Sequence, residues 1–440
     1  MNIVLLSGGS GKRLWPLSND IRSKQFIKIL KNEDDTYESM VQRVYRQLIS
    51  VDPSVKVTVA TSKTQVSALN NQLGNGIGIS AEPCRRGTFP AIALATAYLH
   101  DIHNVSADEA VVVCPVDPYV GSDYFQAIKE LWMLAQSGSA NLALMGIDPA
   151  YPSEHYGYIM PVSKDRVSRV GEFKEKPDTE TARKYIRHGA LWNGGIFAYK
   201  LKYILAICKK VLGTDDYHEM FSNYGNFKEI SFDCAVAEKE QDITVMRFAG
   251  QWKDIGTWST LSEVMQEDAV GNRIIREKCE KIKIINELNI PILCLGLNNI
   301  VVAASQDGIL ISDRKMSRSI KSLVDRLDQD IRFAEKSWGD YRVLDVSGKS
   351  MTVKITINPG QGMSYHSHEL RNEVWTIMAG TGHTVVDGME QPVRPGDVIT
   401  IQAGCRHTIV ADDNKLELIE VQLGEEISVA DKQKFELELE

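Results

Sequence analysis

Short, unbroken apolar runs alternate with longer amphipathic stretches over the first part of the chain. Runs such as NIVLLS, EAVVVCPVD and ANLALMGI have the length of strands, whereas SMVQRVYRQLI and YFQAIKELWMLAQSG carry apolar residues at helical spacing. An unbroken apolar strand needs cover on both faces, so the pattern predicts an α/β domain with a mostly parallel sheet. Ligands bind such sheets beyond the carboxyl ends of the strands. We assign this domain to residues 1–262.

The pattern changes after residue 262. The stretch KIKIINELNIPILCLGLNNIVVAASQDGILISD consists of short β-type runs separated by Asn, Gly and Pro, and SRSIKSLVDRLDQDI after it has helical spacing. We therefore expect a small β-rich connecting domain with a linking helix at residues 263–333. From residue 334 to residue 440, short strands such as MTVKITI, EVWTIMAG and DVITIQAG alternate with Gly, Pro and Asp turns, which predicts a C-terminal β-barrel.

Composition narrows the classes of function. The 440 residues carry a formal net charge of −8, which argues against nucleic acid as a partner, because phosphate backbones need dense Lys and Arg surfaces. Seven scattered cysteines without a C-x-x-C pair indicate reduced thiols, and no apolar run has the length needed to cross a bilayer. We expect a cytoplasmic protein that binds neither nucleic acid nor a membrane.

The stretch SGGSGKRLWPLS, directly after the first apolar run, is rich in glycine. It is not a P-loop, since Leu6 and Arg13 stand where that motif needs Gly and Ser or Thr. It is not a dinucleotide fingerprint either, because Leu14 occupies the third glycine position. Consecutive backbone N–H groups in such a turn bind anions, and Arg13 adds a permanent cation. The glycines predict a phosphate cradle, with a tight structural turn as the alternative.

The string LSGGSGKRLWPLS, with Lys24-Gln25-Phe26 after it, resembles the signature of sugar-1-phosphate nucleotidylyltransferases, in particular the long bacterial mannose-1-phosphate guanylyltransferases. The segments EPCRRGTFPAIALA, CPVDPYV, HYGYI, FKEKP, WNGGIF and WKDIGTW resemble further family elements in the family's order. Gly87 departs from the family's usual Asn, and Pro118 from its usual His. The resemblance implies a Rossmann-like nucleotidyltransferase domain that converts GTP and α-D-mannose 1-phosphate to GDP-mannose and pyrophosphate for polysaccharide synthesis, with Mg²⁺.

The resemblance also implies roles for individual residues. Charge builds on the oxygens around the attacked phosphorus, so the site needs cations and oriented donors. Four residues are expected to be catalytic: Arg13, Lys24, and the two Mg²⁺ ligands Asp117 and Asp254. Residues expected to bind the nucleotide are Leu6, Gly8, Gly9, Ser10, Gly11, Lys12 and Arg86. Residues expected to bind the sugar phosphate are Gly157, Glu175, Lys176 and Asn193. An Asp at a strand end is alternatively a helix cap or a turn former.

Histidines in the C-terminal domain form a second candidate site. His366 and His368 lie two apart on a predicted strand and therefore point to one face, Glu373 begins the next strand, and His407 follows later. Three imidazoles and one carboxylate on a β-barrel predict a divalent transition metal, namely Zn, Mn, Fe or Co. The spacing resembles the cupin pattern. The alternative is a histidine cluster that binds no metal.

In bifunctional members of the resembled family, this cupin is a type II mannose-6-phosphate isomerase. The present sequence departs from their motif: Ser364 replaces Gln, two extra residues separate His368 from Glu373, and Val374 replaces His. Three hypotheses follow: a guanylyltransferase, an enzyme that also interconverts mannose 6-phosphate and fructose 6-phosphate, and a nucleotidylyltransferase for another substrate pair with a non-catalytic cupin. We expect a homo-oligomer, with a dimer as the simplest form.

Overall fold

Residues 1–9, 11–327, 331–428 and 431–436 are described by the structure, a computed structural model. The chain divides into two units: Met1–Ser10 with Lys24–Gln266, and Gly11–Ser23 with Glu267–Glu440. Ser10, which we expect to bind the nucleotide, lies outside the described residues. The three-domain division stays a prediction.

The first unit contains the strands and helices of the predicted α/β domain. Its strands are β1 (Asn2–Ser7), β2 (Leu30–Lys31), β3 (Tyr37–Glu38), β4 (Lys56–Ser62), β5 (Gly78–Glu82), β6 (Ala110–Pro115), β7 (Pro118–Val120), β8 (Leu142–Ile147), β9 (Gly157–Pro161), β10 (Val167–Lys174), β11 (Leu191–Lys200), β12 (Ile243–Phe248) and β13 (Trp252–Asp254). Its helices are α1 (Met40–Val51), α2 (Val66–Leu73), α3 (Thr88–Ala97), α4 (Ser122–Ser137), α5 (Thr179–Arg187), α6 (Leu201–Leu212), α7 (Tyr217–Asn223) and α8 (Trp258–Val264). None of the described helices is long and apolar enough to span a membrane.

A nine-stranded sheet forms the centre of this unit, in the order β5-β4-β1-β6-β11-β8-β12-β10-β9. Strands β5, β4, β1 and β6 are parallel, as the sequence predicts. Strand β11, however, runs antiparallel to both β6 and β8, so the sheet is mixed. The α/β class is confirmed. Strand β11 is buried along nearly its whole length although it runs antiparallel, so burial on both faces does not by itself determine strand direction.

Helices cover both faces of the sheet. On one face, Leu5 of β1 belongs to a buried cluster that includes Val41 of α1 and Ile128 of α4. On the other face, Val4 belongs to a second cluster with Phe89 of α3. Successive residues of a strand point to opposite faces, so the unbroken run NIVLLS supplies both layers. The carboxyl edge of the parallel strands is thereby left for a ligand site.

The second unit contains short strands, a short helix and a β-barrel. Its first strands are β14 (Ala269–Gly271), β15 (Ile274–Glu277), β16 (Lys283–Asn286), β17 (Ile292–Leu295), β18 (Ile300–Ser305) and β19 (Gly308–Asp313), and helix α9 (Lys321–Val324) follows. The barrel strands are β20 (Phe333–Lys336), β21 (Gly339–Ser347), β22 (Ser350–Ile357), β23 (His366–His368), β24 (Arg371–Ala379), β25 (Gly382–Val386), β26 (Met389–Val393), β27 (Val398–Ile401), β28 (His407–Ala411), β29 (Leu416–Gly424) and β30 (Lys432–Lys434).

Two facing sheets build the barrel, in the orders β20-β21-β22-β29-β24-β27 and β26-β25-β28-β23-β30. A buried cluster between them includes Ile355, Trp375, Ile409 and Leu418. The predicted C-terminal cupin fold is confirmed. The histidine-bearing strand β23 lies between β28 and the last strand, β30.

Candidate functional site

A pair of acidic residues lies beyond the carboxyl end of β6. Asp117 follows β6 by two residues and directly precedes β7, whereas Asp254 ends β13. Strands β7 and β13 pair antiparallel, with Asp254 opposite Pro118. The backbone N–H of Ile255 also donates to the carbonyl oxygen of Asp117 at 3.3 Å. Backbone pairing thus brings together two carboxylates that are far apart in the sequence.

Lys24 joins the two acids. Its Nζ lies 2.6 Å from Asp117 Oδ2 and 3.7 Å from Asp254 Oδ1, and it donates to the carbonyl oxygen of Ile255 at 3.2 Å. Both acidic side chains are about one-third exposed, at 31% and 33%. Carboxylate oxygens are the ligands that Mg²⁺ prefers. The three residues that the sequence assigns to catalysis in this unit therefore form one cluster, and its donor set fits Mg²⁺.

Aromatic side chains lie beside the acidic pair. The ring of Tyr156 is 4.8 Å from that of Trp192 and 5.6 Å from that of Trp252, measured between centroids. Burial raises the pKa of Tyr156, and the negative charge of Asp254 raises it further. Tyr156 therefore keeps its proton and contributes an apolar wall with a hydroxyl group.

The residues expected to bind the sugar phosphate also come together. A Cβ atom added at Gly157 would lie 2.5 Å from Glu175 Oε2, so this position accepts only glycine while the carboxylate stays in place. That oxygen is buried and has no hydrogen-bond partner among the described residues. Lys176 Nζ donates to Glu175 Oε1. An unsatisfied buried oxygen is costly unless a ligand hydroxyl donates to it.

Asn193 connects this cluster to a further carboxylate. Its amide Nδ2 donates to Asp233 Oδ1 at 2.6 Å, and its Oδ1 accepts from the N–H of Gly195 at 3.1 Å. Burial raises the pKa of Asp233 to about 6, and the charge of Glu175 contributes to the same shift. The sequence predicts mainly a helix near the sugar pocket for the segment that contains Asp233 and assigns this residue no role of its own. The available signal was an acidic residue inside the apolar stretch SFDCAVAEK.

The residues expected to bind the nucleotide are divided between the two units. In the first unit, the carbonyl oxygen of Leu6 accepts from the N–H of Val116 at 3.3 Å, and Gly8 and Gly9 are exposed. Arg86 Nη2 donates to the carbonyl oxygen of Gly225, and so it already has a protein partner. Gly11, Lys12 and Arg13 belong to the second unit.

The local backbone explains why Gly87 stands where the family usually has Asn. Its φ is +83° and its ψ is 179°, a conformation that is essentially restricted to glycine. A Cβ atom there would lie 2.5 Å from the carbonyl oxygen of Ile230. The N–H of Ile230 donates to the carbonyl oxygen of Arg86, which holds the two segments together. The segment around Ile230 therefore requires glycine at position 87.

Glu82, which our sequence analysis did not single out, lies near the glycine loop. It ends β5, is buried, and its Oε2 accepts from the hydroxyl of Tyr224 at 2.8 Å. Its other oxygen lies 4.0 Å from where a Cβ of Gly8 would be. Burial raises the pKa of Glu82. The signal in the sequence was an acidic residue at the end of a strand, in the segment EPCRRG.

In the second unit, Lys12 and Arg13 lie on a short helical turn, Gly11–Leu14. Lys12 Nζ lies 3.0 Å from Asp325 Oδ1, and this ion pair is partly exposed. Arg13 is exposed. The exposed guanidinium is available to an anionic ligand.

The barrel histidines form a compact cluster. One nitrogen each of His366, His368 and His407 lies within 4.8 Å of the others, and all three residues are buried. His366 and His368 share a face of β23, as predicted, and His366 is paired with His407 of β28. The sequence spacing and the structure thus agree on this cluster.

Hydrogen bonds orient the three imidazole rings. The Nδ1 atoms contact the carbonyl oxygens of Ser364 for His366 at 2.6 Å, of Cys405 for His407 at 2.9 Å, and of Asp431 for His368 at 3.4 Å. A carbonyl only accepts, so each Nδ1 carries the proton and each Nε2 keeps its lone pair. His407 Nε2 is buried without a hydrogen-bond partner among the described residues. Neutral imidazoles with lone pairs on Nε2 are suited to metal ligation.

Glu373 lies within reach of two of these rings. Its Oε1 is 3.2 Å from His368 Nε2, and its Oε2 is 3.3 Å from His407 Nε2. Arg371 Nε and Trp375 Nε1 each donate to the carboxylate at 3.1 Å. Burial alone would raise the pKa of Glu373, but neighbouring groups, the Arg371 guanidinium among them, outweigh it and lower the pKa. Burial lowers the pKa of His368 to about 4. The donor set fits a divalent transition metal.

Further ionisable groups lie beside the histidine cluster that our sequence analysis missed. Glu420 is buried on β29, and burial together with the charge of Glu373 raises its pKa to about 8. Gln422 Nε2 donates to Glu420. Burial lowers the pKa of Lys432 to about 8, and β30 pairs Lys432 with His368. The signal was a pair of polar residues, Glu420 and Gln422, that continue the alternate positions of Leu416 and Leu418 on one face of the strand.

Both parts of the chain match known protein families. Residues 2–270 match the nucleotidyl transferase family, and residues 326–437 match the C-terminal domain of mannose-6-phosphate isomerase. The first match covers more than half of the chain.

Individual proteins agree with these matches. The mannose-1-phosphate guanylyltransferase of Escherichia coli (strain K12) is 30% identical, over 98% of this chain and 97% of its own length. The xanthan biosynthesis protein XanB of Xanthomonas campestris pv. campestris is also 30% identical, over 98% and 97%. A solved structure titled mannose-1-phosphate geranyltransferase, from Thermus thermophilus, is 25% identical with a TM-score of 0.63, over 74% of this chain and 99% of that chain. The chain therefore belongs to the nucleotidyl transferase family and, within it, to the mannose-1-phosphate guanylyltransferases.

Proposed function

We propose that this enzyme transfers GMP from GTP to α-D-mannose 1-phosphate, giving GDP-mannose and pyrophosphate for polysaccharide synthesis. The observation that carries the proposal is the cluster of Asp117, Asp254 and Lys24 beyond β6, in a chain of this family. The cytoplasmic location and the homo-oligomeric state stay predictions.

The transferase chemistry is electrostatic. A phosphate oxygen of mannose 1-phosphate attacks the α-phosphorus of GTP, and the bond to pyrophosphate breaks. A Mg²⁺ ion held by Asp117 and Asp254 would neutralise charge on the phosphate oxygens. Lys24 balances the two carboxylates, and Arg13 supplies a permanent cation for the leaving pyrophosphate. No side chain has to carry a proton in this step.

The sugar-binding residues supply acceptors and one cation. The free oxygen of Glu175 accepts from a sugar hydroxyl, and Asp233, held by Asn193, offers a second carboxylate. Lys176 is exposed and offers its ammonium group to the sugar phosphate. Gly157 leaves the space into which Glu175 extends.

A second candidate function is the interconversion of mannose 6-phosphate and fructose 6-phosphate in the barrel. The buried cluster of His366, His368, His407 and Glu373 favours it. A transition metal held there would polarise the sugar carbonyl. Glu420, which is buried, and Lys432, which is half-buried, lie beside the cluster and have pKa values near 8, suited to holding a proton near neutral pH.

We predict that GTP with mannose 1-phosphate gives the highest kcat/KM for pyrophosphate release. The measurement is a panel of GTP, ATP, UTP and CTP, each with mannose 1-phosphate or glucose 1-phosphate, in the presence of Mg²⁺. Reactions without sugar phosphate measure background hydrolysis. A higher kcat/KM with another pair would contradict the proposed substrates and keep the class of reaction.

We predict that Asp254→Asn lowers kcat for pyrophosphate release by at least about a hundredfold, because it removes one of two negative charges that hold the metal. Asp148→Asn is the matched control, since Asp148 also follows a central strand, β8, and pairs with Arg247 at 3.0 Å. Full activity of Asp254→Asn would contradict the assignment of the acidic pair.

For the barrel, we predict that His368→Ala removes tight binding of Zn²⁺, Co²⁺ or Mn²⁺, because one of three imidazole ligands is lost. Aldose–ketose exchange should disappear with it, while guanylyl transfer stays within about twofold of wild type, as expected for an independent site. The measurements are metal content after dialysis and the two activity assays. His383→Ala, a partly exposed histidine outside the cluster, is the control. A wild-type enzyme without exchange activity in any of the three metals would contradict the second function.

A further inference from the structure

Residues 11–23 carry Lys12 and Arg13, and they belong to the second unit rather than to the sheet from which they emerge. This segment, here called the signature segment, consists of a short helical turn followed by bends. Such a turn has little stability of its own. Its charged side chains are therefore positioned by contacts beyond the segment, including those with Asp307 and Glu287 of the second unit.

Asn19 is the most completely bonded side chain of the signature segment. Its Oδ1 accepts from the N–H groups of Ile21 at 2.9 Å and Arg22 at 2.7 Å. Its Nδ2 donates to Asp307 Oδ2 at 2.7 Å and to the carbonyl oxygen of Phe333 at 3.2 Å. Asn19 is buried, and both donors and both acceptor sites of the amide are used. The amide can face Asp307 in only one orientation.

Asp307, the partner of Asn19, links three parts of the second unit. It is only 6% exposed, and its second oxygen, Oδ1, accepts from the N–H of Arg332 at 2.7 Å, directly before β20. Its own N–H donates to Ser305 Oγ at 3.1 Å, and that hydroxyl donates to the carbonyl oxygen of Pro16 at 2.6 Å. The buried Asp307 thus connects the signature segment, the turn at Ser305 and the residue directly before the first strand of the barrel.

Contacts at both ends of the segment support this link. Arg22 makes two hydrogen bonds to Glu287, at 2.8 and 2.9 Å, and its guanidinium lies 5.1 Å from the ring centroid of Phe333. Trp15 packs so closely on Gly308 that a Cβ there would lie 2.5 Å from its ring. Gly308 directly follows Asp307 and begins β19. The contact with the Trp15 ring and the hydrogen bonds of Asp307 therefore lie at the same turn.

We propose that Asp307 is a positioning residue for polyphosphate binding, which acts through Asn19 to hold the signature segment in the conformation that binds phosphate. The inference rests on the proposed function, in which Arg13 of this segment supplies a cation for the leaving pyrophosphate. The chemical class of the ligand is a polyphosphate. Asp307 touches no substrate and affects the site only through the segment that it holds.

Exchanging the two side chains provides the test. Asp307→Asn keeps an oxygen for Arg332 but turns an amide donor toward the Asn19 amide, and Asn19→Asp sets two carboxylates against each other. In the double variant, the introduced amide donates to the introduced carboxylate and the direct bond returns, but the carbonyl oxygen of Phe333 loses its donor. We expect each single variant to bind Mg²⁺-pyrophosphate at least about tenfold more weakly, and the double variant to bind it more tightly than either single variant but more weakly than wild type.

The measurement is calorimetric titration of the full chain with inorganic pyrophosphate and Mg²⁺. Asp313→Asn is the matched control, because Asp313 accepts from Asn299 at 2.6 Å and from two backbone N–H groups, but lies away from the signature segment. A purely structural role would lower the number of binding-competent molecules and leave the dissociation constant unchanged. A change in the dissociation constant itself therefore reports positioning.

Several outcomes would overturn the proposal: Asp307→Asn with the dissociation constant of wild type, a double variant as weak as the single variants, or a wild-type protein that does not bind pyrophosphate. If Asp307→Asn fails to fold, the comparison of Asn19→Asp with the double variant decides. Because pyrophosphate carries neither base nor sugar, its binding does not depend on which nucleotide or sugar the enzyme uses. A wild-type enzyme that binds it but makes no GDP-mannose would contradict the proposed function and leave this inference standing.

Discussion

Two carboxylates from distant parts of the chain lie against one ammonium group, and the proposed chemistry of the first unit depends on this contact. Negative charges this close repel one another, and partial burial strengthens the repulsion. Lys24 offsets it, with Nζ at 2.6 Å from Asp117 and 3.7 Å from Asp254. The acids are positioned by backbone pairing of β7 with β13, and β7 begins after only two residues beyond the central strand β6. A rigid framework of this kind keeps the two charges in place before any ligand arrives.

Much of the fold was predictable from the pattern of apolar residues. The unbroken apolar run of β1 contributes side chains to a buried cluster on each face of the sheet, as its sequence predicts. Direction was not predictable, because β11 is also buried along nearly its whole length but runs antiparallel to its neighbours. Strand β29 shows a second limit. Its sequence LELIEVQLG offers apolar residues on both faces, and the inward face begins with Leu416 and Leu418 but continues with Glu420 and Gln422.

The candidate sites were predictable where a short motif carries them. His366 and His368 share a face because they are two residues apart on a strand, and Asp117 follows an apolar run. Contacts between distant segments left no such signal: Asn19 and Asp307 are 288 residues apart. The role of Gly87 was predictable only in part. Its departure from the family was visible in the sequence, but the carbonyl group of Ile230 that explains it is seen only in the structure.

The central claim is that Asp117 and Asp254 together hold the metal ion of the transferase. The most direct measurement is a crystal structure with GTP and Mn²⁺ in place of Mg²⁺, with the ion located by its anomalous scattering. The account predicts a peak bonded to a carboxylate oxygen of each residue, at about 2.1 Å, as for octahedral Mg²⁺. A peak that contacts neither acid, or anomalous scattering confined to the histidine cluster of the barrel, would contradict it.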